Sequence, residues 1–452
     1  MAHSNTHVII IGAGITGLVL AQALQKDGIP FTIVERDASL NVRSNEWTMA
    51  IHWALERLET LLPPHIYAKL EAASCNPAIP INAGGTYPII HAESGSMLAG
   101  VPYARGMRVP RSKMRALVSE GIDVQFNKKL IEVDLLEPDL GVVAKFADGT
   151  SVKGSMIVGA EGARSKVREI AMGSVEEAAT TSFPIWHMNL TVCYGDAEKA
   201  QFVRRDFPTS FLALSQRSFH AFQSISSMPS SDPASWIFHL AMAWNGSSNH
   251  DLSHAEKLAL IKEKAKDLAE PARSSFMWIP EGTQVHRADI SYWITRQWEN
   301  RSGRLTLVGD AAHPMPPCEY LAQFLHSIPQ YLDRESLLKY STDRGQGLNH
   351  CIADLHSLAA QIKLAHSGIA TWAEAIGGYE AELVPRGAEE VKCSIENGIM
   401  LHDWEKVKQS PVFTKGFRPM KGHDGYETNS NPEENLRKAD LARGGKGVEA
   451  AT

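Results

Sequence analysis

The sequence predicts an α/β fold, a helix-covered parallel sheet interrupted by an inserted antiparallel sheet. Three observations carry this: an apolar strand running through a glycine-rich turn into a helix at the start, alternating aromatic segments between Thr180 and Gly246, and renewed strand character at Arg304 to Val308.

The elements follow in order. Val8 to Ile11 is continuously apolar, Ile15 to Gln25 has helical spacing, and Phe31 to Val34 is apolar again, which makes a βαβ unit. Continuous rather than alternating hydrophobicity marks strands buried on both faces. In SWIFHLAMAW the residues Trp236, Phe238, Leu240, Met242 and Trp244 share one face, the pattern of an antiparallel strand. A helix follows from Ser253, where S-H-A-E supplies a capping box and KLALIKEKAKDLA the amphipathic body. Two further helices are expected around Ile352 to Ala365 and Thr371 to Asn397. The expected division is therefore 1–178 and 291–400 as one domain in two parts, 179–290 as an inserted sheet domain, and 414–452 as a loose, polar tail.

Composition narrows the function. A chain of 452 residues with 44% hydrophobic residues is neither disordered nor fibrous. The 45 basic against 51 acidic residues, a net charge of -6, argue against a nucleic-acid partner. Cys75, Cys193, Cys318, Cys351 and Cys393 form no C-x-x-C pair, so neither a zinc site nor a disulfide framework is expected, and a reducing, cytoplasmic location fits. HVIIIGAGITGLVLAQAL lacks a basic leader and a cleavage site, and no later stretch offers about 18 uninterrupted apolar residues, so no membrane span is expected.

Gly12, Gly14 and Gly17 lie where the first strand turns into the first helix. Glycines there permit the turn and close backbone approach, and a helix N-terminus offers N–H groups to a pyrophosphate. Glu35, ending the second strand, is placed to accept a hydrogen bond from a ribose. This leaves NAD and FAD both open. Two more segments bear on the choice: G-A-E-G-A-R-S-K-V-R over 159–168, after the apolar run MIV, and L-V-G-D-A-A-H-P-M-P-P over 307–317, after the strand RLTL.

In this order the three motifs resemble the class A FAD-dependent monooxygenases, the para-hydroxybenzoate and salicylate hydroxylase-like group, over roughly residues 6 to 400. The stretch EWTMAIHWALERLETLLPP is similar to fungal members of secondary metabolism. The resemblance implies a glutathione-reductase-type, Rossmann-like FAD domain with a substrate-binding sheet. It implies that Gly12, Gly14, Gly17 and Glu35 hold the ADP half of FAD and that Asp310 holds the ribityl chain, with Arg43 and Arg111 as further FAD contacts. Glu161 before Gly162 stands where the family has D-G, and Ser165 and Arg168 complete that pattern. Gly347, Leu348 and Asn349 match the helix start that lies against the flavin. The implied chemistry is hydroxylation or epoxidation, by way of a peroxyflavin, of an apolar or phenolic small molecule of polyketide or terpenoid type. NADPH or NADH and molecular oxygen are consumed. A flavin oxidase or dehydrogenase, or an impaired flavoprotein, are the alternatives. No catalytic side chain is singled out. His313, His350, Cys351 and His356 are expected in polar or core roles rather than around a metal. The aromatic strands from Phe183 to Trp244 could roof an apolar pocket or simply pack a sheet.

One departure from the family pattern remains. Between Pro317 and the R-G-Q-G-L-N-H segment at Arg344 lies an insertion, and residues 319–343 are expected to be translated intron rather than a surface lid. Suitable codons would place splice-like signals at Cys-Glu-Tyr and Thr-Asp, and their removal would restore GDAAHPMPPYRGQGLNH.

Overall fold

The computed structural model describes residues 6–42, 45–136, 141–246, 251–317 and 347–409. Arg43, the 319–343 stretch and the tail lie outside them. The first sheet is parallel and five-stranded, in the order Leu305–Leu307, Met156–Gly159, Val8–Ile11, Phe31–Val34 and Val124–Gln125. All four residues of Val8–Ile11 and of Met156–Gly159 are buried, as continuous apolar strands require. The helix Ile15–Lys26 covers this sheet and is itself buried from Gly17 to Leu24 by the helices Arg111–Val118 and Gly347–His366.

The second sheet has seven strands, in the order His286–Ala288, Ile185–Cys193, Ile237–Asn245, Phe219–Ser227, Ser210–Ser215, Gly85–His91 and Met97–Tyr103. It is not confined to 179–290. Two of its strands come from 85–103, and Gly85–His91 pairs in parallel with Ser210–Ser215. Tyr87, Ile89 and Ile90 are buried there, so this short segment joins the sheet by burial rather than by any long alternating pattern. The insertion is thus laced into the preceding chain.

The alternating strand occurs at Ile237–Asn245. Phe238, Leu240 and Met242, with Trp244 at the rim, pack in one cluster with Leu258 and Ile261 of the helix His254–Ala265 and with Phe276. Ser253 and Glu256 close the expected capping box. The aromatic face is therefore core, covered by helices. The opposite face, carrying His187, Asn189, His220, His239, Ala241 and Ala243, turns toward the first domain, where the backbone N–H of Thr48 donates to His239 Nδ1 at 3.3 Å. Among the described residues no helix is long and apolar enough to cross a membrane.

Candidate active site

The three motif turns leave the C-terminal ends of adjacent strands, the edge at which open parallel sheets bind ligands. Gly12 has φ +103°, and a Cβ there would stand 2.7 Å from Glu161 Cα, so the first two turns touch through backbone that tolerates no side chain. Gly17 is fixed for the same reason, since its Cβ would meet Gly12 O at 2.0 Å. Gly14 differs. It has an ordinary φ of -71°, a Cβ would meet nothing within 4 Å, and it begins a helix that no side chain caps. Packing does not demand glycine here, whereas a phosphate approaching the backbone does.

Glu35 is buried against this turn. Its Oε2 accepts from Ala13 N at 2.9 Å and its Oε1 from Asp37 N at 3.0 Å. A carboxylate retains further lone pairs for a ribose hydroxyl. Arg115, which the sequence reading did not single out, ties the region together: its Nε donates to Ala13 O at 2.8 Å, its Nη1 to Leu40 O at 2.7 Å, and its Nη2 lies 3.6 Å from Glu35. Arg111, one helical turn earlier, stacks 4.9 Å from the Trp47 ring. Both arginines line a cavity of about 340 Å³ that also takes in Asn41, Asn45 and Glu46.

In the second turn Glu161 Oε1 accepts from Val167 N at 2.8 Å, while its Oε2 is buried without a partner. Burial outweighs the hydrogen bonds and lifts its carboxyl to about 7, and Gly162 follows at φ +84°. The sign of the linkage is clear. A folded-state value raised above the ordinary 4.5 makes stability fall as pH rises from about 4.5 to about 7. Glu161→Gln is accordingly expected to leave unfolding of the apoprotein unchanged at low pH and to stabilise it by up to about 3 kcal/mol at pH near 8. Urea unfolding at the two pH values checks this, and an equal effect at both would refute it.

Arg168 is buried and clamps three segments. It donates to Ala178 O and Ala311 O at 2.9 Å and to Ala163 O at 2.5 Å, and it stacks on Trp293. Ser165 caps its helix by accepting from Arg168 N. In the third turn Asp310 is exposed although Gly309 and Ala311 on either side are buried. Gly347, which opens the helix Gly347–His366, lies beside it, as a Cβ there would be 3.8 Å from Asp310 Oδ1. Leu348 packs partly into the first core, and Asn349 accepts from His52 N and donates to Ala50 O, both at 3.1 Å. The structure thus sets Glu35 and Glu161 against the first turn and Gly347 beside Asp310, while Arg111 shares a cavity with Arg115.

Behind this loop lies a buried ion cluster. Asp354 accepts from Gly309 N at 2.9 Å, from His313 Nε2 at 2.6 Å and from Arg386 Nη2 at 2.8 Å. Burial opposes the charge, but His313 and Arg386 hold the Asp354 carboxyl at about 2, and Asp354 in turn raises the His313 imidazole despite its burial. Cys351 Sγ fills the space beside Gly309, and His350 meets Trp53 edge-on at 5.2 Å. Among the described residues no group of His, Cys, Asp or Glu could hold a metal ion.

Facing Pro316 and Pro317 across a cavity of about 10 Å³ is the polar face of the seven-stranded sheet. His187 and His220 both pair with Ala243, so two imidazoles flank one methyl in a single row, and His402 contacts His220 from above at 4.9 Å between rings. One row along, Arg108 lies 4.6 Å over Phe222 and donates from Nε to Thr48 Oγ1 at 3.0 Å.

The open space at Gly14, the uncapped helix start and the exposed Asp310 fit a dinucleotide with a polyhydroxylated linker. Comparisons with known proteins agree. The chain is 59% identical over 426 residues to the FAD-dependent monooxygenase phnB of Penicillium herquei, covering 94% of this chain and 98% of that one. It is 30% identical over 412 residues to cctM of Talaromyces islandicus, also an FAD-dependent monooxygenase, covering 91% and 96%. Among solved structures it resembles Klebsiella pneumoniae HpxO R204Q complexed with FAD, with TM-score 0.67, 17% identity and coverage of 90% and 93%. CtdE in complex with FAD and substrate is similar at TM-score 0.67 and 17% identity, covering 97% and 98%. Residues 5–319 match the FAD binding domain family, and the chain belongs to that family of flavoprotein monooxygenases.

Proposed function

We propose that this protein is an NAD(P)H-consuming, FAD-dependent monooxygenase that oxygenates a neutral, largely aromatic small molecule at the seven-stranded sheet. The observation that carries the reading is the meeting of the three turns at one sheet edge, with Gly14 open and Asp310 exposed.

Gly12, Gly14 and the helix start at Ile15 would receive the pyrophosphate, Glu35 the ribose and Asp310 the ribityl hydroxyls, with Arg111 beside the dinucleotide. Gly347 and Leu348, at a helix N-terminus next to Asp310, would place a partial positive charge against the flavin ring. When bound, FAD supplies hydride acceptance from NADPH or NADH and transfer of one atom of molecular oxygen. The chain's own residues do the rest. Arg168 and Asp354 hold the Asp310 loop in place, and the sheet presents the substrate from the side of Pro316 and Pro317 while excluding water.

Purified protein is expected to release FAD on denaturation. With a turnover substrate, labelled molecular oxygen should place one labelled atom in the product. Hydrogen peroxide with an unsaturated, unlabelled product would instead establish the oxidase alternative.

A further inference from the structure

In the second turn the Glu161 carboxyl is turned inward. Part of the residue is accessible, yet Oε2 is buried beside Gly159, where a Cβ would meet it at 3.0 Å together with Val167 Cβ at 2.7 Å and Leu307 Cδ2 at 2.9 Å. Both of those neighbours are aliphatic. Oε2 therefore has no donor, while Oε1 accepts from Val167 N at 2.8 Å. A buried carboxylate with an unpartnered oxygen is costly, and taking up a proton removes the charge.

The charges on the surrounding elements do not hold the anion in place. Arg168 feels the field of Glu161 but gives its hydrogen bonds to the carbonyls of Ala163, Ala178 and Ala311. Lys166 pairs with Glu169 at 2.7 Å. Behind the first turn Glu35 lies 3.6 Å from Arg115, and on the third loop Asp310 is a further anion acting on Arg168, while His313 is committed to Asp354. Hydrogen bonds from Val167, Ser165 and the Lys166 backbone lower the carboxyl, and burial outweighs them. The same residue touches the turn assigned to the pyrophosphate, since a Cβ on Gly12 would stand 2.7 Å from Glu161 Cα. Gly12, Ala13 and Gly14 carry no charge that would screen one anion from the other.

We propose that FAD and a proton bind together, with the inward carboxyl of Glu161 as the site that takes the proton. The proton comes from solvent and forms one O–H bond on the carboxylate, and no other bond changes. Glu161 thus acts on FAD through charge rather than contact. The linkage has one sign. A diphosphate at the first turn raises the Glu161 carboxyl further, so FAD binding takes up a proton and weakens as pH rises through about 7, whereas well below that value it is independent of pH. The inference rests on the assignment of FAD to this turn and adds a proton to it.

Calorimetric titration of the flavin-stripped protein with FAD, in two buffers of different ionisation enthalpy, counts the protons. At pH 7.5 the natural protein should take up roughly 0.5 to 1 proton, and its Kd for FAD should weaken about five- to tenfold between pH 6 and pH 8. Glu161→Gln should take up none, show a flat Kd, and bind FAD more tightly than the natural protein at pH 8. A readout on the natural protein does not depend on that variant: at pH 8 the infrared difference spectrum should gain a protonated-carboxyl band on FAD binding, and the band should shift when glutamate is carbon-13 labelled. FAD binding without proton uptake, uptake that persists in Glu161→Gln, or absence of the labelled band would overturn the proposal and leave the FAD assignment standing. No FAD binding even at pH 6 would overturn both.

Discussion

Gly14→Ala is expected to fold as well as the natural protein and to lose FAD. In the absence of ligand the added methyl meets nothing within 4 Å and the backbone is unstrained, so the midpoint of apoprotein unfolding should move by less than the equivalent of about 0.5 kcal/mol. A pyrophosphate seated on the helix N–H groups needs that space, and a loss of affinity of 100-fold or more is expected, on the order of 3 kcal/mol. Gly12→Ala makes the contrast. Its methyl would stand 2.7 Å from Glu161 Cα at φ +103°, so folding itself should suffer. Flavin content after gel filtration and urea unfolding of the apoproteins check both. Retention of FAD by Gly14→Ala would remove the main support for the dinucleotide at this turn.

The second large effect is expected at Asp354, which touches no ligand. Asp354→Ala leaves the Gly309 N–H without its acceptor and strips the buried His313 and Arg386 of their shared counter-charge. Removing one partner of such a cluster costs about 3–5 kcal/mol. Because the same carboxylate fixes the loop that carries Asp310, FAD affinity should fall in parallel. Asp354→Asn keeps one acceptor and should lose less of both. The pH dependence has a definite sign on each side. The Asp354 contribution is present above its ordinary value of 3.8 and is lost as pH falls toward about 2, whereas the His313 contribution is complete below 6.5 and is lost as pH rises through its raised folded value. An Asp354→Ala protein with unchanged urea midpoint and flavin content would contradict this account.

The legible part of the molecule is local. Each of the three turns is announced by a continuous apolar strand followed at once by small residues, and such signals survive without knowledge of the rest of the chain. Arg115 was open to detection, as it sits among Met114, Leu117 and Val118 on the buried side of its helix. Asp354 and Arg386 could not be read as a pair, because two separate helices and the 309–313 loop bring them together. The same holds for the histidines. SWIFHLAMAW draws attention to its aromatic side, yet that side is covered by helices, and of the smaller residues His239, Ala241 and Ala243 on the other side it is Ala243 that lines the cavity with His187 and His220. Strand alternation identifies two faces without saying which of them a helix will cover.

The position of Leu305–Leu307 at the margin of the parallel sheet has a consequence for biosynthesis. Met156–Gly159 waits for its outer neighbour while more than a hundred further residues are translated, and until then it presents an unpaired apolar edge of the kind that recruits other chains. The Arg168 clamp cannot close before Ala311 has emerged, nor can Gly309 find its acceptor before Asp354 has. A ribosome-held chain stopped short of residue 305 would therefore be aggregation-prone and unable to retain flavin, and cofactor capture comes as one of the last events in the maturation of the polypeptide.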